Sequence, residues 1–198
     1  MLAIHFRDIS SSVAAAWEAA FADVPNVEVS CGNIFDHTAD AIVSPANSFG
    51  RMDGGIDLVF SNFFGWDLEA NLKALLLEQY FGELPVGQAV ILSTGHKAIP
   101  LLVSAPTMRV PSNISKTINV YLAFRAALLA VVRHNEIAST PIKSLLVPGL
   151  GTGVGEVAPE RTAQQMRLAY NTIIFGEGLK KRSARDIWLE HDKLISGN

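Results

Sequence analysis

Four glycines alternate with other residues at 148–155, in the run Pro-Gly-Leu-Gly-Thr-Gly-Val-Gly. A glycine inside a helix or a strand costs about 0.5–1 kcal/mol relative to alanine, so neither element tolerates this density. The run therefore predicts a loop whose function or packing requires backbone without side chains. Successive backbone N–H groups that bind an anion are one such requirement. A tight turn that packs a helix closely on a strand is the alternative.

This loop lacks the signatures of two common nucleotide-binding folds. No Lys-Ser or Lys-Thr pair follows it, which excludes a Walker loop. Its glycines are evenly spaced, which does not fit Gly-x-Gly-x-x-Gly. A dehydrogenase would need a glycine fingerprint after the first strand, and residues 8–12 contain no glycine.

A second loop with glycines is predicted at Ser44–Gly55, just before a helix that begins at Ile56. Gly54 and Gly55 lack Cβ atoms and let the backbone come close to a ligand. The first N–H groups of the helix are free and carry partial positive charge. Both glycine-rich loops therefore fall directly after a strand and directly before a helix.

Two polar side chains of this region suit a ligand. Asn47 follows a buried strand and offers a donor and an acceptor to a hydroxyl-rich molecule. Asp57 places a carboxylate beside the start of the helix. The alternative interpretation is local, because an asparagine often caps a turn and a carboxylate is common at a helix N-terminus.

Strand and helix patterns alternate along the chain, and no hairpin dipeptide such as Asn-Gly separates them. Strands are predicted at Leu2–Arg7, Val27–Ser30, Asp40–Val43, Gln88–Thr94, Leu101–Ala105 and Ser144–Val147. Further helices are predicted at Val13–Phe21, Asp67–Tyr80, Ser115–Arg133 and Pro159–Phe175. We therefore expect a three-layer α/β/α sandwich with a central mixed, mostly parallel sheet. Such sheets bind ligands at the carboxyl ends of their strands.

The composition, 49% hydrophobic and 18% charged over 198 residues, predicts one globular domain spanning 1–198. Within it, 176–198 is expected to be a C-terminal helical extension packed on the domain, preceded by a solvated basic cluster at Lys180–Arg182. The net charge of −3 argues against general nucleic-acid binding, and the chain lacks the roughly 20 apolar residues of a membrane span.

The single cysteine, Cys31, cannot form an internal disulfide, so we expect a reducing, cytoplasmic location. Because no basic residue or histidine lies near it in sequence, Cys31 is interpreted as a small packed core thiol. The five histidines show no metal-ligand spacing. We expect neither a metal nor an organic cofactor.

Three separated pieces of sequence, in order, resemble the macro domain family over about Val27–Ile174. They are Cys31-Gly-Asn-Ile34 before Ala39-Asp-Ala-Ile-Val43, Asn47 ten residues before Asp57 in Gly-Gly-Ile-Asp, and Gly151-Thr-Gly-Val-Gly155 before Pro159. The second piece has the spacing of the hydrolase branch, which removes ADP-ribose from proteins. The partner implied is ADP-ribose, or a protein or metabolite that carries it.

The resemblance also implies roles for matching residues. Asp57 and Asn47 are the implied catalytic residues, with Asp57 activating or positioning a water at the distal ribose that Asn47 contacts. Asn33 lies beside the adenine amine, and the two glycine-rich loops hold the distal ribose and the diphosphate. The implied ligand-binding positions are Asn33, Ile34, Asn47, Gly54, Gly55, Gly149, Gly151, Thr152, Gly153, Val154 and Gly155.

Three departures from the family pattern indicate a divergent branch. Asn33 replaces the aspartate that reads adenine, which removes a charge-assisted hydrogen bond. Gly155 stands where the family often has an aromatic residue, a wall that Phe49 is a candidate to supply. Ser-Pro-Ala-Asn at 44–47 replaces the usual Asn-Ala-Ala-Asn.

The leading hypothesis is a hydrolase that cleaves an ADP-ribosyl ester, either protein-linked or in O-acetyl-ADP-ribose, using Asp57. A reader module that binds ADP-ribose without chemistry is the second hypothesis. A phosphatase that acts on ADP-ribose phosphate is the third.

Overall fold

The computed structural model describes residues 2–177 and 183–196. Its strands are β1 (Ala3–Asp8), β2 (Val27–Cys31), β3 (Ala41–Ser44), β4 (Val90–Ser93), β5 (Leu101–Ser104) and β6 (Ser144–Val147). Its helices are α1 (Ser11–Phe21), α2 (Gly55–Phe64), α3 (Asp67–Tyr80), α4 (Asn119–Ile137), α5 (Pro159–Ile173) and α6 (Ala184–Ser196). A short 3-10 helix at Ile34–Asp36 was not predicted from the sequence.

The strands form one mixed sheet in the order β2-β1-β6-β3-β5-β4 within the described residues. All neighbouring pairs are parallel except β4 and β5, which pair antiparallel from Val90 opposite Ser104 to Ser93 opposite Leu101. The residues that join β4 to β5 are held by the Thr94 N–H, which donates to the Pro100 carbonyl at 2.9 Å. The predicted mixed, mostly parallel sheet is confirmed.

Helices cover both faces of the sheet, because the parallel strands are apolar on both sides. In β3, Ala41 and Val43 point into one core, and Ile42 points into the other. The first core is completed by α1, α4 and α5, and includes the fully buried Trp17. The second is completed by α3 and by Phe60 of α2. The three-layer α/β/α architecture is therefore also confirmed.

The helix α4 begins later than the sequence pattern predicts. It starts at Asn119 rather than Ser115, because the side chains before it bond to local backbone groups. The Asn113 side chain accepts from the Ser115 N–H at 2.9 Å, and the Thr117 hydroxyl donates to the Ile114 carbonyl at 2.8 Å. The same helix continues four residues beyond the predicted end, to Ile137.

The helix α6 lies against α5. Leu194 is buried there, and Gln165 of α5 donates from Nε2 to the Leu194 carbonyl at 2.9 Å. The other side of α6 is open, since Trp188 is 68% exposed. The assignment of 1–198 to one domain with 176–198 as its extension stays a prediction, and Lys180–Arg182 lies outside the described residues.

Cys31 contradicts its sequence interpretation as a packed core thiol. It is the last residue of β2, which lies at one edge of the sheet, and its side chain is exposed. A strand at the sheet edge has only one neighbour to cover it, so the apolar pattern of the segment does not guarantee burial at its end.

Candidate functional site

The carboxyl ends of five parallel strands meet at one edge of the sheet. In spatial order, the segments that leave this edge follow β2, β1, β6, β3 and β5. Because neighbouring strands lie roughly 4.8 Å apart, the segments after β6 and β3 start side by side. These are the two glycine-rich loops, which we call the 148–158 loop and the 45–54 loop. The fold therefore brings together the two segments that the sequence singled out.

The 148–158 loop presents a run of uncommitted backbone donors. Within the described residues, none of the N–H groups from Gly151 to Gly155 donates a hydrogen bond. The Gly149 N–H differs, because it donates to Oδ2 of Asp8 at 3.0 Å. Five successive free N–H groups are a concentrated source of partial positive charge, of the kind that binds phosphate oxygens.

The glycines of this loop serve different purposes. A Cβ on Gly151 would lie 2.9 Å from Val120, and one on Gly155 would lie 2.5 Å from the Gly151 carbonyl oxygen. These two positions require glycine for packing inside the protein. A Cβ on Gly153 would meet nothing within 4 Å. Gly153 is therefore the position where the bare backbone faces open space.

Neighbouring segments hold the 148–158 loop in place. The Ile114 N–H, from the segment after β5, donates to the Gly155 carbonyl at 2.9 Å. Inside the loop, the Val157 N–H donates to the Gly151 carbonyl at 3.0 Å. The exposed Val154 and the half-buried Thr152 lie between these anchor points. The free N–H groups thus belong to a braced loop, which lowers the entropic cost of binding a ligand.

The 45–54 loop ends at the amino terminus of α2. Gly54 and Gly55 are exposed, and a Cβ on either would meet nothing within 4 Å. Gly55 also has a φ of +57°, which L side chains rarely adopt. The helix has no side-chain cap, so its first N–H groups stay free for an anion.

Asn47 uses its amide to shape the loop. Its Oδ1 accepts from the Phe49 N–H at 3.1 Å and from the Arg51 N–H at 3.3 Å. Its Nδ2 donates to the Arg51 carbonyl at 2.8 Å. These contacts therefore match the alternative interpretation, in which the Asn47 side chain caps a turn. Phe49, the candidate aromatic wall, lies with its ring 5.0 Å from the guanidinium carbon of Arg109.

Asp57 projects from the first turn of α2 into a buried position. Its side chain accepts a hydrogen bond from the Ser44 hydroxyl at 2.5 Å, at the end of β3. Burial raises the pKa of Asp57 to about 7, the Ser44 hydrogen bond opposes this, and the charge of Glu69 adds to it. A carboxyl that titrates near neutral pH beside the carboxyl edge of the sheet can act as a general base.

The predicted adenine-reading residues lie after β2, two strands away from the 148–158 loop. Asn33 is exposed, and its Oδ1 accepts from the Phe35 N–H at 3.1 Å. The Asn33 carbonyl accepts from Nε of Arg7 at 2.7 Å. The side chain of Ile34 is 6% exposed and packs into the core.

Sequence reasoning missed Asp8 and the role of Ser44. Asp8 ends β1, and its carboxylate accepts from the Ser10 N–H at 2.9 Å as well as from Gly149. It ties the start of α1 to the 148–158 loop. The contact of Asp8 with Gly149 and that of Ser44 with Asp57 join residues from separate segments of the sequence, so the sequence showed only an acidic residue at one strand end and a serine at another.

No group of three or more His, Cys, Asp or Glu side chains that could hold a metal occurs within 2–177 and 183–196. Over those same stretches, no helix combines the length and the apolar character that a membrane crossing needs.

The fold and this edge define the chain as an α/β/α protein whose glycine-rich loops offer backbone donors. Residues 43–166, more than half of the 198, match the family model for the macro domain. The chain belongs to the macro domain family. The matched segment contains both glycine-rich loops, Ser44 and Asp57, whereas Asp8 and Asn33 lie outside it.

Two relatives support this assignment. An uncharacterized protein of Aquifex aeolicus is 36% identical over 142 residues, which cover 71% of this chain and 78% of the relative. An uncharacterized protein of Aeropyrum pernix is 32% identical over 147 residues, which cover 73% of this chain and 70% of the relative.

Solved macrodomains share the fold at low sequence identity. The macrodomain of Mycobacterium tuberculosis DarG is 22% identical with a TM-score of 0.60, over 72% of this chain and 88% of that one. The Oceanobacillus iheyensis macrodomain with ADP is 21% identical with a TM-score of 0.56, over 70% of this chain and 72% of that one. These identities are consistent with a divergent branch.

Proposed function

We propose that the chain binds ADP-ribose at the carboxyl edge of its sheet. The observation that carries this proposal is the run of free N–H groups from Gly151 to Gly155, next to the uncapped amino terminus of α2. A diphosphate is the part of ADP-ribose that such donors would bind. The O. iheyensis macrodomain solved with ADP lends further support.

The order of the segments along the edge fits the order of groups in the ligand. From β2 to β3, the edge offers Asn33, then the segment after β1, then the 148–158 loop, then the 45–54 loop. Along ADP-ribose, the groups follow in the order adenine, ribose, diphosphate and distal ribose. We assign the adenine to Asn33, the diphosphate to the 148–158 loop, and the distal ribose to Asn47, Gly54 and Gly55. The N–H of Gly149 stays with Asp8 in this arrangement.

We further propose that the chain hydrolyses an ADP-ribosyl ester, with Asp57 as the general base. For the protein-linked ester, a water oxygen would bond to the anomeric carbon of the distal ribose, and the bond from that carbon to the ester oxygen would break. Asp57 would take one proton from the water, and the acyl group would leave as a carboxylate. The buried, near-neutral carboxyl beside α2 supports this role.

A reader without chemistry is the second candidate. Both ends of the Asn47 amide are committed to the 45–54 loop, which leaves less of it for the distal ribose. Gly155 also supplies no aromatic wall there.

Calorimetry and a turnover assay separate these proposals. We expect ADP-ribose to bind with a Kd in the micromolar range, about −8 kcal/mol, and AMP to bind more weakly because it lacks the diphosphate. We expect the protein to release ADP-ribose from a glutamate-linked peptide or acetate from O-acetyl-ADP-ribose. Asp57→Asn should retain binding and lose turnover by about 10²–10⁴-fold.

Asp53→Asn is the matched control for that substitution, because Asp53 lies four residues before Asp57 in the 45–54 loop but is exposed and paired with Arg51. It should leave turnover unchanged. Micromolar binding with no turnover on either substrate would establish the reader. Full turnover in Asp57→Asn would remove Asp57 from the mechanism.

A further inference from the structure

Ser44 ends β3 and is completely buried, and its hydroxyl lies 2.5 Å from Oδ1 of Asp57. We propose that Ser44 is a positioning residue: it ties Oδ1 of Asp57 to the strand end and thereby presents Oδ2 to the reacting water. This inference rests on the proposed hydrolysis, and it adds a residue to which the family resemblance gives no role.

The two carboxylate oxygens of Asp57 have different surroundings. Among the described residues, Ser44 is the one donor to the Asp57 side chain, and it serves Oδ1. Oδ2 accepts no hydrogen bond from the described residues, yet it is not among their fully buried, unpartnered side-chain atoms. Those atoms are His5 Nδ1, His96 Nδ1, Ser104 Oγ and Arg161 Nε. Asp57 keeps 7% exposure, and we assign this exposure to Oδ2.

The backbone around Ser44 is fixed, which makes it a suitable anchor. Ser44 pairs with Ser104 of β5 in the parallel register, and its carbonyl accepts from the Ala105 N–H at 3.0 Å. The start of α2 is held separately, because the Ser61 hydroxyl donates to the Met52 carbonyl at 2.8 Å. The hydrogen bond from Ser44 to Asp57 therefore joins two braced segments and leaves the carboxylate little freedom to rotate.

The Ser44 hydroxyl also affects the protonation of the Asp57 carboxylate. A donor stabilises the ionised form, so removing it should favour the protonated form of Asp57. A positioning role thus has a signature that a purely structural role lacks. At acidic pH, a smaller fraction of Asp57 should be ionised and able to accept a proton in the variant, while its ligand affinity stays the same.

Ser44→Ala tests the inference, with Ser104→Ala as the matched control. Ser104 sits opposite Ser44 in the register, is equally buried, and has a hydroxyl without a partner among the described residues. The Asp57 carboxyl is titrated by ¹³C NMR, and kcat/KM is measured from pH 5 to pH 9. In Ser44→Ala, we expect the apparent pKa to rise by about one unit and kcat/KM at pH 6 to fall about tenfold.

In the same variant, kcat/KM should approach the wild-type value at pH 9, and the Kd for ADP-ribose should stay within about twofold. Ser104→Ala should change neither the titration nor the pH profile. If Ser44→Ala does not fold, Ser44→Cys keeps a weak donor at the site and should give a smaller shift in the same direction.

An unshifted Asp57 titration in the Ser44 variant would overturn the inference, as would equal effects of the two serine variants. The NMR titration needs no turnover. A wild-type protein without hydrolase activity therefore contradicts the proposed function, whereas the titration tests the contact between Ser44 and Asp57.

Discussion

Asp57→Asn should gain stability relative to the wild type as the pH rises from 5 to 8, while it removes catalysis. The wild-type carboxyl has a pKa of about 7 in the folded state, against 3.8 in the unfolded chain. Because the folded pKa is raised, the folded state binds more protons than the unfolded state between those values. The contribution of Asp57 to stability is therefore highest below pH 4, falls as the pH rises through this window, and is flat above pH 7.

The magnitude follows from the size of that window. For each pH unit between about 4 and 7, the free energy of unfolding of the wild type falls by about 1.4 kcal/mol relative to a protein whose side chain at this position does not titrate. Asparagine has nearly the same shape and no charge, so its own cost of burial does not change with pH. From pH 5 to pH 8, the free energy of unfolding of Asp57→Asn should gain about 3 kcal/mol on the wild type. For a chain of this length, the gain corresponds to roughly 6–12 °C in Tm.

Paired urea and thermal unfolding at pH 5, 6, 7 and 8 measures this difference. The other carboxylates titrate in both proteins, so they cancel when the variant is compared with the wild type. Asp53→Asn is the control, because a hydrogen bond from Arg51 holds the pKa of the exposed Asp53 carboxyl below its usual range. A stability difference for Asp57→Asn that is the same at all four pH values would refute the reasoning.

Three further predictions concern the 148–158 loop, its contact with Asp8, and Cys31 at the end of β2. Gly153→Val should weaken ADP-ribose binding at least tenfold in calorimetry and leave the free energy of unfolding unchanged within about 0.5 kcal/mol. Gly155→Ala should lower the free energy of unfolding, measured in urea, by about 1–3 kcal/mol. Asp8→Ala should speed hydrogen exchange at the Gly149 amide and cost about 1–3 kcal/mol; unchanged exchange would mean that Asp8 does not anchor the loop. Cys31 should react with a thiol reagent in the folded protein, and protection until unfolding would contradict its exposure.

Local sequence patterns predicted most of the elements. Asp67–Tyr80 and Ser144–Val147 begin and end as predicted, because a polar residue marks each start and a glycine or proline follows within two residues of each end. The antiparallel direction of β4 was left open, since no turn dipeptide marks the connection to β5. The strand order was not readable either, because β6 inserts between β1 and β3 from a hundred residues away.

Only the backbone of the candidate site could be predicted from the sequence. A density of glycine indicated loops that need bare main chain, and the structure places Gly153, Gly54 and Gly55 in open space. The packing roles of Gly151 and Gly155 depend on Val120 and Ile114, which reach the loop from other elements. Side-chain pairs such as Ser44 with Asp57 depend on the angle between a strand and a helix, which no local pattern encodes.

Amide chemical shifts during an ADP-ribose titration test the central claim most directly. If the free N–H groups of the 148–158 loop hold the diphosphate, the ¹H resonances of Gly151 to Gly155 should move strongly downfield and saturate together with the calorimetric binding curve. The amide of Gly149, which is bonded to Asp8, should move much less. Saturable binding that leaves the Gly151–Gly155 amides unshifted would contradict the account, and so would the absence of any binding.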